Sequence, residues 1–233
     1  VWVPCPVFRA EVGPARPAER GRPYCDAMPT IYLIRHGKAS PEAADYDELS
    51  PIGHEQARLV GAELARRDLD LGPVVSGTLR RQRGTAVTAL DVEPVTDPRW
   101  NEYDHLRLLA LHPTGAGTLQ ERLDASLHAW TSSGATGEGS WNAFRDGVRS
   151  ALDELAASLE RGRTALVFTS AGVVAAACAS LLNAPDPVFV AMNRVVVNGS
   201  VTKLVHGRGG TRLLSFNDHA HLERGDPELM TFR

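Results

Sequence analysis

Cysteine is scarce in this chain of 233 residues. Cys5, Cys25 and Cys178 are the full set; none belongs to a Cys-x-x-Cys pair and none has metal-ligand spacing. This excludes a disulfide framework and fits a reducing, cytoplasmic compartment. Cys178 falls in an apolar helical pattern and reads as a small core residue. A basic excess is also missing: the net charge is -3, so nucleic acid is not expected as a partner. No internal repeat is present, and the first residues lack the apolar core and small-residue cleavage site of a signal peptide. One stretch without charge, residues 164–185, is long enough to span a membrane. It is broken at Thr169-Ser170-Ala171-Gly172, with a β-rich run before and an Ala-rich helical run after. A buried strand, a tight loop and a buried helix explain it, and no membrane association is expected.

Residues 1–27 are rich in Pro, Arg and Glu and have neither a strand nor a helix period. Met28 is the first methionine, and "MPTIYLIRHG" would be a natural start. Residues 1–27 are therefore expected to be a disordered or misassigned extension, and residues 28–233 one domain. Strands are expected at 31–35, 73–76, 94–96 and 165–169. The two runs "RVVVNGSVTKLVH" and "TRLLSFN" should pair antiparallel through Gly207-Arg208-Gly209-Gly210. Helices are expected after Ser50-Pro51, with Ser50 as N-cap and Ala57, Val60, Gly61 and Leu64 on one face, and at 79–90, 118–130, 142–159 and 173–182. Alternating elements imply an α/β fold, a three-layer sandwich with a mostly parallel central sheet and helices on both faces. Ligands bind such sheets at the carboxyl ends of the strands. Arg35-His36-Gly37, Ser76 and Thr169 to Gly172 all fall there.

The run Ile31-Tyr32-Leu33-Ile34 ends in Arg35-His36-Gly37. A neutral imidazole is a competent nucleophile, arginine forks suit phosphate oxygens, and Gly37 allows close backbone approach. A lone histidine there would more simply satisfy a backbone carbonyl.

His36 is accompanied, in order, by "LSPIGHEQA" at 49–57, "VSGTLRRQRGTA" at 75–86 and "WNEYDH" at 100–105. Together with "LIRHG" these segments resemble the histidine phosphatase superfamily, the phosphoglycerate mutase-like family, over about residues 29–216. Leu49, Ser50, Gly53, Gln56 and Ala57 match one family motif. Ser76, Leu79, Arg81, Thr85 and Ala86 match another, in which Gln82 replaces an alanine. The resemblance implies His36 as the nucleophile that becomes phosphohistidine, Arg35 and Arg81 as ligands of the phosphoryl oxygens, and Glu102 as the general acid and base. Asp104 is the rival to Glu102, and a solvated helix face is the plainer reading of Arg81. No cofactor or metal is implied. The His-x-His of "DHAHLE" reads as exposed polar residues.

The chain departs from the family at its second histidine, whose position Ser170 occupies. Serine donates one hydrogen bond but brings no charge. Losing a transition-state donor costs on the order of 3 kcal/mol, part of which a neutral donor recovers. Lys38 and His105 are candidate accessory cations. Alternatively Ser170 caps the helix that follows, or serves as the nucleophile of a serine hydrolase. The latter lacks support because Phe168 takes the place of the first glycine of Gly-x-Ser-x-Gly. The segment after Lys38 is acidic, and the stretch after Glu102 has few basic residues. The reading favoured is a phosphomonoester hydrolase acting on a small phosphorylated substrate. The alternatives are a phosphoglycerate mutase-type transfer and an impaired phosphate-binding protein. Substrate and oligomeric state are left unassigned.

Overall fold

The computed structural model describes residues 28–40, 47–112, 117–224 and 226–232; the expected extension at 1–27 lies outside them. Six strands form one sheet: β1 Thr30–Arg35, β2 Leu71–Ser76, β3 Val95–Thr96, β4 Thr164–Thr169, β5 Val201–Gly207 and β6 Gly210–Asp218, in the order β3-β2-β4-β1-β5-β6. The pairs β2–β3, β2–β4 and β1–β4 are parallel, whereas β1–β5 and the hairpin β5–β6 are antiparallel. The helices are α1 Pro51–Arg66, α2 Arg80–Leu90, α3 His105–Leu111, α4 Leu119–Ser132, α5 Trp141–Ser158, α6 Ala171–Leu181, α7 Asp186–Val195 and α8 Ala220–Glu223.

The central strands β1 and β4 are buried along their whole length, which explains why they read as continuous apolar runs rather than alternating ones. Tyr32, Ile34, Leu166 and Phe168 face Val60 and Leu64 of α1 and Ala86 of α2. Ile31, Leu33, Ala165 and Val167 face the larger core built by α4 to α7. Two helical layers thus enclose the sheet. Ser50 caps α1 through a 3.1 Å bond from Gly53 N. The uncharged run 164–185 divides into β4 and α6, and α6 is buried on nearly every face. Among the described residues no helix is long and apolar enough to cross a membrane. Cys178 is buried in α6, and burial pushes its thiol up to about 12.

Three helices, α3, α7 and the short α8, differ from expectation. The run from Arg194 does not begin a strand: Arg194 and Val195 end α7, and β5 starts at Val201. The three β-branched residues Val195, Val196 and Val197 suggested strand, but Phe189, Val190 and Asn193, at helical spacing, turn into the core and decide for helix. The short helix α3 after Glu102 was also unanticipated; Asp104 caps it by accepting from Arg107 N at 3.0 Å.

Candidate active site

The parallel register pairs Arg35 with Thr169, so β1 and β4 end in step and His36 and Ser170 leave the sheet side by side. A 2.8 Å bond from His36 N to Thr169 O fixes the two turns together. Beyond His36 the chain runs against the first turn of α1. A Cβ on Gly37 would lie 2.3 Å from Gly53 O, and one on Gly53 would lie 2.2 Å from Lys38 O. The pair of glycines permits this contact, so Gly37 serves an intramolecular close approach.

His36 is 6 % exposed. Its Nδ1 lies 2.7 Å from Gly37 O and its Nε2 lies 3.1 Å from Arg81 Nε, which donates to it. Both contacts demand the same tautomer, with the proton on Nδ1 and a lone pair on Nε2. Burial first, then the charges of Arg81 and Arg35, hold the imidazole well below its ordinary range, against a smaller opposing effect of the Gly37 carbonyl. The site therefore keeps a neutral imidazole whose Nε2 faces a guanidinium.

Arg81 lies in the first turn of α2 and is held on its other side by Asp47, whose Oδ1 lies 2.5 Å from Arg81 Nη1. Asp47 escaped notice because its segment reads only as acidic. Arg35 is buried, and its Nη1 donates to Val196 O just beyond α7. Glu102, half-buried, accepts from Tyr103 N and from Gly172 N in the first turn of α6, each at 3.2 Å. A Cβ on Gly172 would stand 2.1 Å from Glu102 Oε1. Only glycine at that helix position leaves room for the carboxyl.

Ser170 occupies the N-cap position of α6 but makes no cap bond. Its Oγ instead accepts from Gln82 Nε2 at 2.8 Å, and the same Nε2 donates to Trp100 O at 2.9 Å. The capping alternative is thereby set aside. Gln82 and Ser170, the two departures from the family motifs, touch each other across 88 residues of sequence. Both are completely buried. Gln82 Oε1 has no hydrogen-bond partner among the described residues; an unpaired buried acceptor costs about 1–3 kcal/mol.

Lys38 binds Gln56 Oε1 and Ser50 through its backbone, and its ammonium makes no hydrogen bond or ion pair among the described residues. His105 opens α3. Asp104 is occupied as the α3 cap. The histidines of "DHAHLE" diverge: His219 pairs with Glu223, whereas His221 is buried, contrary to expectation, with its Nε2 3.0 Å from Gly199 O. Ser76 turns its hydroxyl back to Gly77 O at 2.7 Å.

A cleft of about 450 Å³ lies beside Glu102. Tyr103, Leu108, Trp130 and Phe144 supply much of its lining, with Arg99 and Arg107 at its polar part. Arg99 is already engaged by Asp97 and Glu154, at 2.7 Å each. Of the candidate residues Glu102 and its rival Asp104 line this cleft; His36, Arg81 and Ser170 lie outside its walls.

No curated protein matches the chain. Among solved structures, mycobacterial hydrolase 1 is 25% identical with a TM-score of 0.60, over 82% of this chain and 99% of that one. A mycobacterial glucosyl-3-phosphoglycerate phosphatase is 24% identical with a TM-score of 0.57, over 82% and 99%. A phosphoglycerate mutase from Bacillus anthracis is 18% identical with a TM-score of 0.59, over 84% and 96%. At such identities the last two speak for the fold. The sequence pattern of the histidine phosphatase superfamily (branch 1) matches residues 31–219, most of the chain, and this protein belongs to that family.

Proposed function

We propose that this protein is a phosphomonoester hydrolase working through a phosphohistidine on His36. The observation that carries the reading is the Nε2 lone pair of a buried, neutral His36 facing Arg81. An entering phosphoryl group displaces Arg81 Nε from Nε2 and takes its place between the two. The N–P bond forms as the ester P–O bond breaks, and Glu102 gives its proton to the departing alkoxide oxygen. Water then attacks phosphorus, the N–P bond breaks, and the Glu102 carboxylate takes the water's proton. The products are an alcohol and inorganic phosphate, with His36 and Glu102 returned to their starting forms. Arg81 and Arg35 balance the charge of the phosphoryl oxygens, and Ser170 donates to one of them.

Phosphoryl transfer as a class is supported by the family. Hydrolysis rather than mutase transfer is favoured by the cleft beside Glu102, which is largely apolar and whose Arg99 is already ion-paired. It suits the apolar part of an alcohol leaving group better than a small carboxylate. A binding-only role is the reading that the uncharged Ser170 favours.

The test is a phosphomonoester screen with purified protein, together with trapping of acid-labile protein phosphate. Turnover and labelling that both vanish in His36→Ala are expected. Full activity in His36→Ala would overturn the mechanism, and stoichiometric phosphate binding without labelling or turnover would favour the binding role.

A further inference from the structure

We propose that Gln82 is a positioning residue that holds the Ser170 hydroxyl as a hydrogen-bond donor to the phosphoryl group, so that the two side chains act as one neutral unit. The proposal rests on the hydrolase reading above.

The geometry determines the direction of each hydrogen bond. Trp100 O accepts only, so the Gln82 carboxamide must turn Nε2 toward it; the flipped amide would set two carbonyl oxygens against each other. The same nitrogen then presents its second proton to Ser170 Oγ. Ser170 therefore accepts from Gln82 and cannot donate to it. Its own proton has no acceptor among the described residues: the bond from Gln82, which it accepts, is the one hydrogen bond the hydroxyl makes there. The one unassigned proton of the pair sits on the turn whose preceding carbonyl, Thr169 O, binds His36 N.

Gln82 is also placed where such a role needs it. It follows Arg81 in the first turn of α2, and its second contact, Trp100 O, lies two residues before Glu102. Trp100 O additionally accepts from Thr169 Oγ1 at 2.7 Å. One carboxamide thus joins the helix carrying Arg81, the turn carrying Ser170 and the segment carrying Glu102. A tie made only for stability would satisfy both ends of the amide, yet Oε1 is buried without a partner among the described residues, close against Gly77, where a Cβ would stand 2.0 Å from it.

The experiment is a double-mutant cycle on Gln82→Met, which keeps the volume and removes the donor, and Ser170→Ala. kcat and KM are measured with p-nitrophenyl phosphate, and binding of orthovanadate by calorimetry. Each single variant is expected to lower kcat about 10- to 100-fold with little change in KM, and to weaken vanadate by a similar factor. The double variant should be no worse than the poorer single one. If Gln82→Met does not fold, Gln82→Asn, one methylene short of Ser170, is expected to give the same pattern. Wild-type kcat in a Gln82 variant that only melts earlier would overturn the proposal, as would losses that multiply. The two readings fail separately. Coupled vanadate losses in a protein that hydrolyses no phosphomonoester would remove the hydrolase reading and keep the pair. Normal turnover with uncoupled losses would remove the pair alone.

Discussion

Arg81 Nε lies 3.1 Å from His36 Nε2, and Asp47 grips the same guanidinium from the other side. In the proposed mechanism Nε2 is the atom that attacks phosphorus, and the guanidinium stands against it. Arg81→Met should leave the fold intact and lower kcat/KM about 100- to 1000-fold, the loss typical of one preorganised charge donor. Steady-state kinetics on the variant, with a melting curve beside it, check this; a loss under tenfold would mean that Arg81 does not meet the transition state.

The acid limit of activity should lie below that of an ordinary histidine. His36 is held neutral by burial, Arg81 and Arg35, so its lone pair persists as pH falls through about 6.5. Above about 6.5 neither the folded nor the unfolded imidazole is charged, and His36 costs nothing. Below that value the unfolded chain takes up a proton that the folded one refuses. Stability declines until the depressed folded value is reached, then levels off. His221, lowered mainly by burial, adds to the same trend. An NMR titration of the His36 ring is expected to show a midpoint below 6.5 that rises in Arg81→Met; a midpoint at or above 6.5 in the parent protein would refute the assignment.

Gly172→Ala should act on Glu102 through space. The added Cβ would meet Glu102 Oε1 at 2.1 Å and Tyr103 Cε1 at 2.5 Å, so the carboxyl must shift. Alkyl phosphates, whose leaving oxygen needs a proton, should lose about 100-fold or more in kcat. p-Nitrophenyl phosphate, with a good leaving group, should lose much less. Equal losses on both substrates would argue against an acid role for Glu102.

Gly53→Ala, on α1 away from the chemistry, should cost about 1–3 kcal/mol through overpacking against Lys38 O. Because the same contact seats Gly37 beside His36, turnover should fall as well. Urea unfolding and kcat measured on one preparation test both halves; an unchanged unfolding midpoint would show that the loop yields freely.

Ser170→His should be tolerated only when Gln82 is shortened. Ser170 is completely buried with Gln82 Nε2 2.8 Å from its Oγ, which leaves no room for an imidazole. The single variant should lose stability and activity, while Ser170→His with Gln82→Ala should recover both at least in part. A fully stable and active single variant would show that the amide moves aside without cost.

Local sequence carried a large share of this architecture. The apolar run of β1, the Ser50-Pro51 start of α1, the uncharged β4–α6 pair and the Gly207 to Gly210 hairpin each follow from interactions within a few residues, which is why they are legible without a fold. Ordered motifs likewise marked His36, Arg81 and Glu102. Tertiary structure decided what depends on distant partners. It made residues 186–195 helical, because Phe189 and Val190 found a core to face despite the valines that follow. It set β5 antiparallel against β1, a choice that no local pattern encodes. It brought Asp47 onto Arg81 and Gln82 onto Ser170, contacts across 34 and 88 residues that arise only where parallel strands end in register. Sequence thus specified which chemical groups the site contains; the packing of α2 against the β4–α6 turn decided which of them hold one another in place.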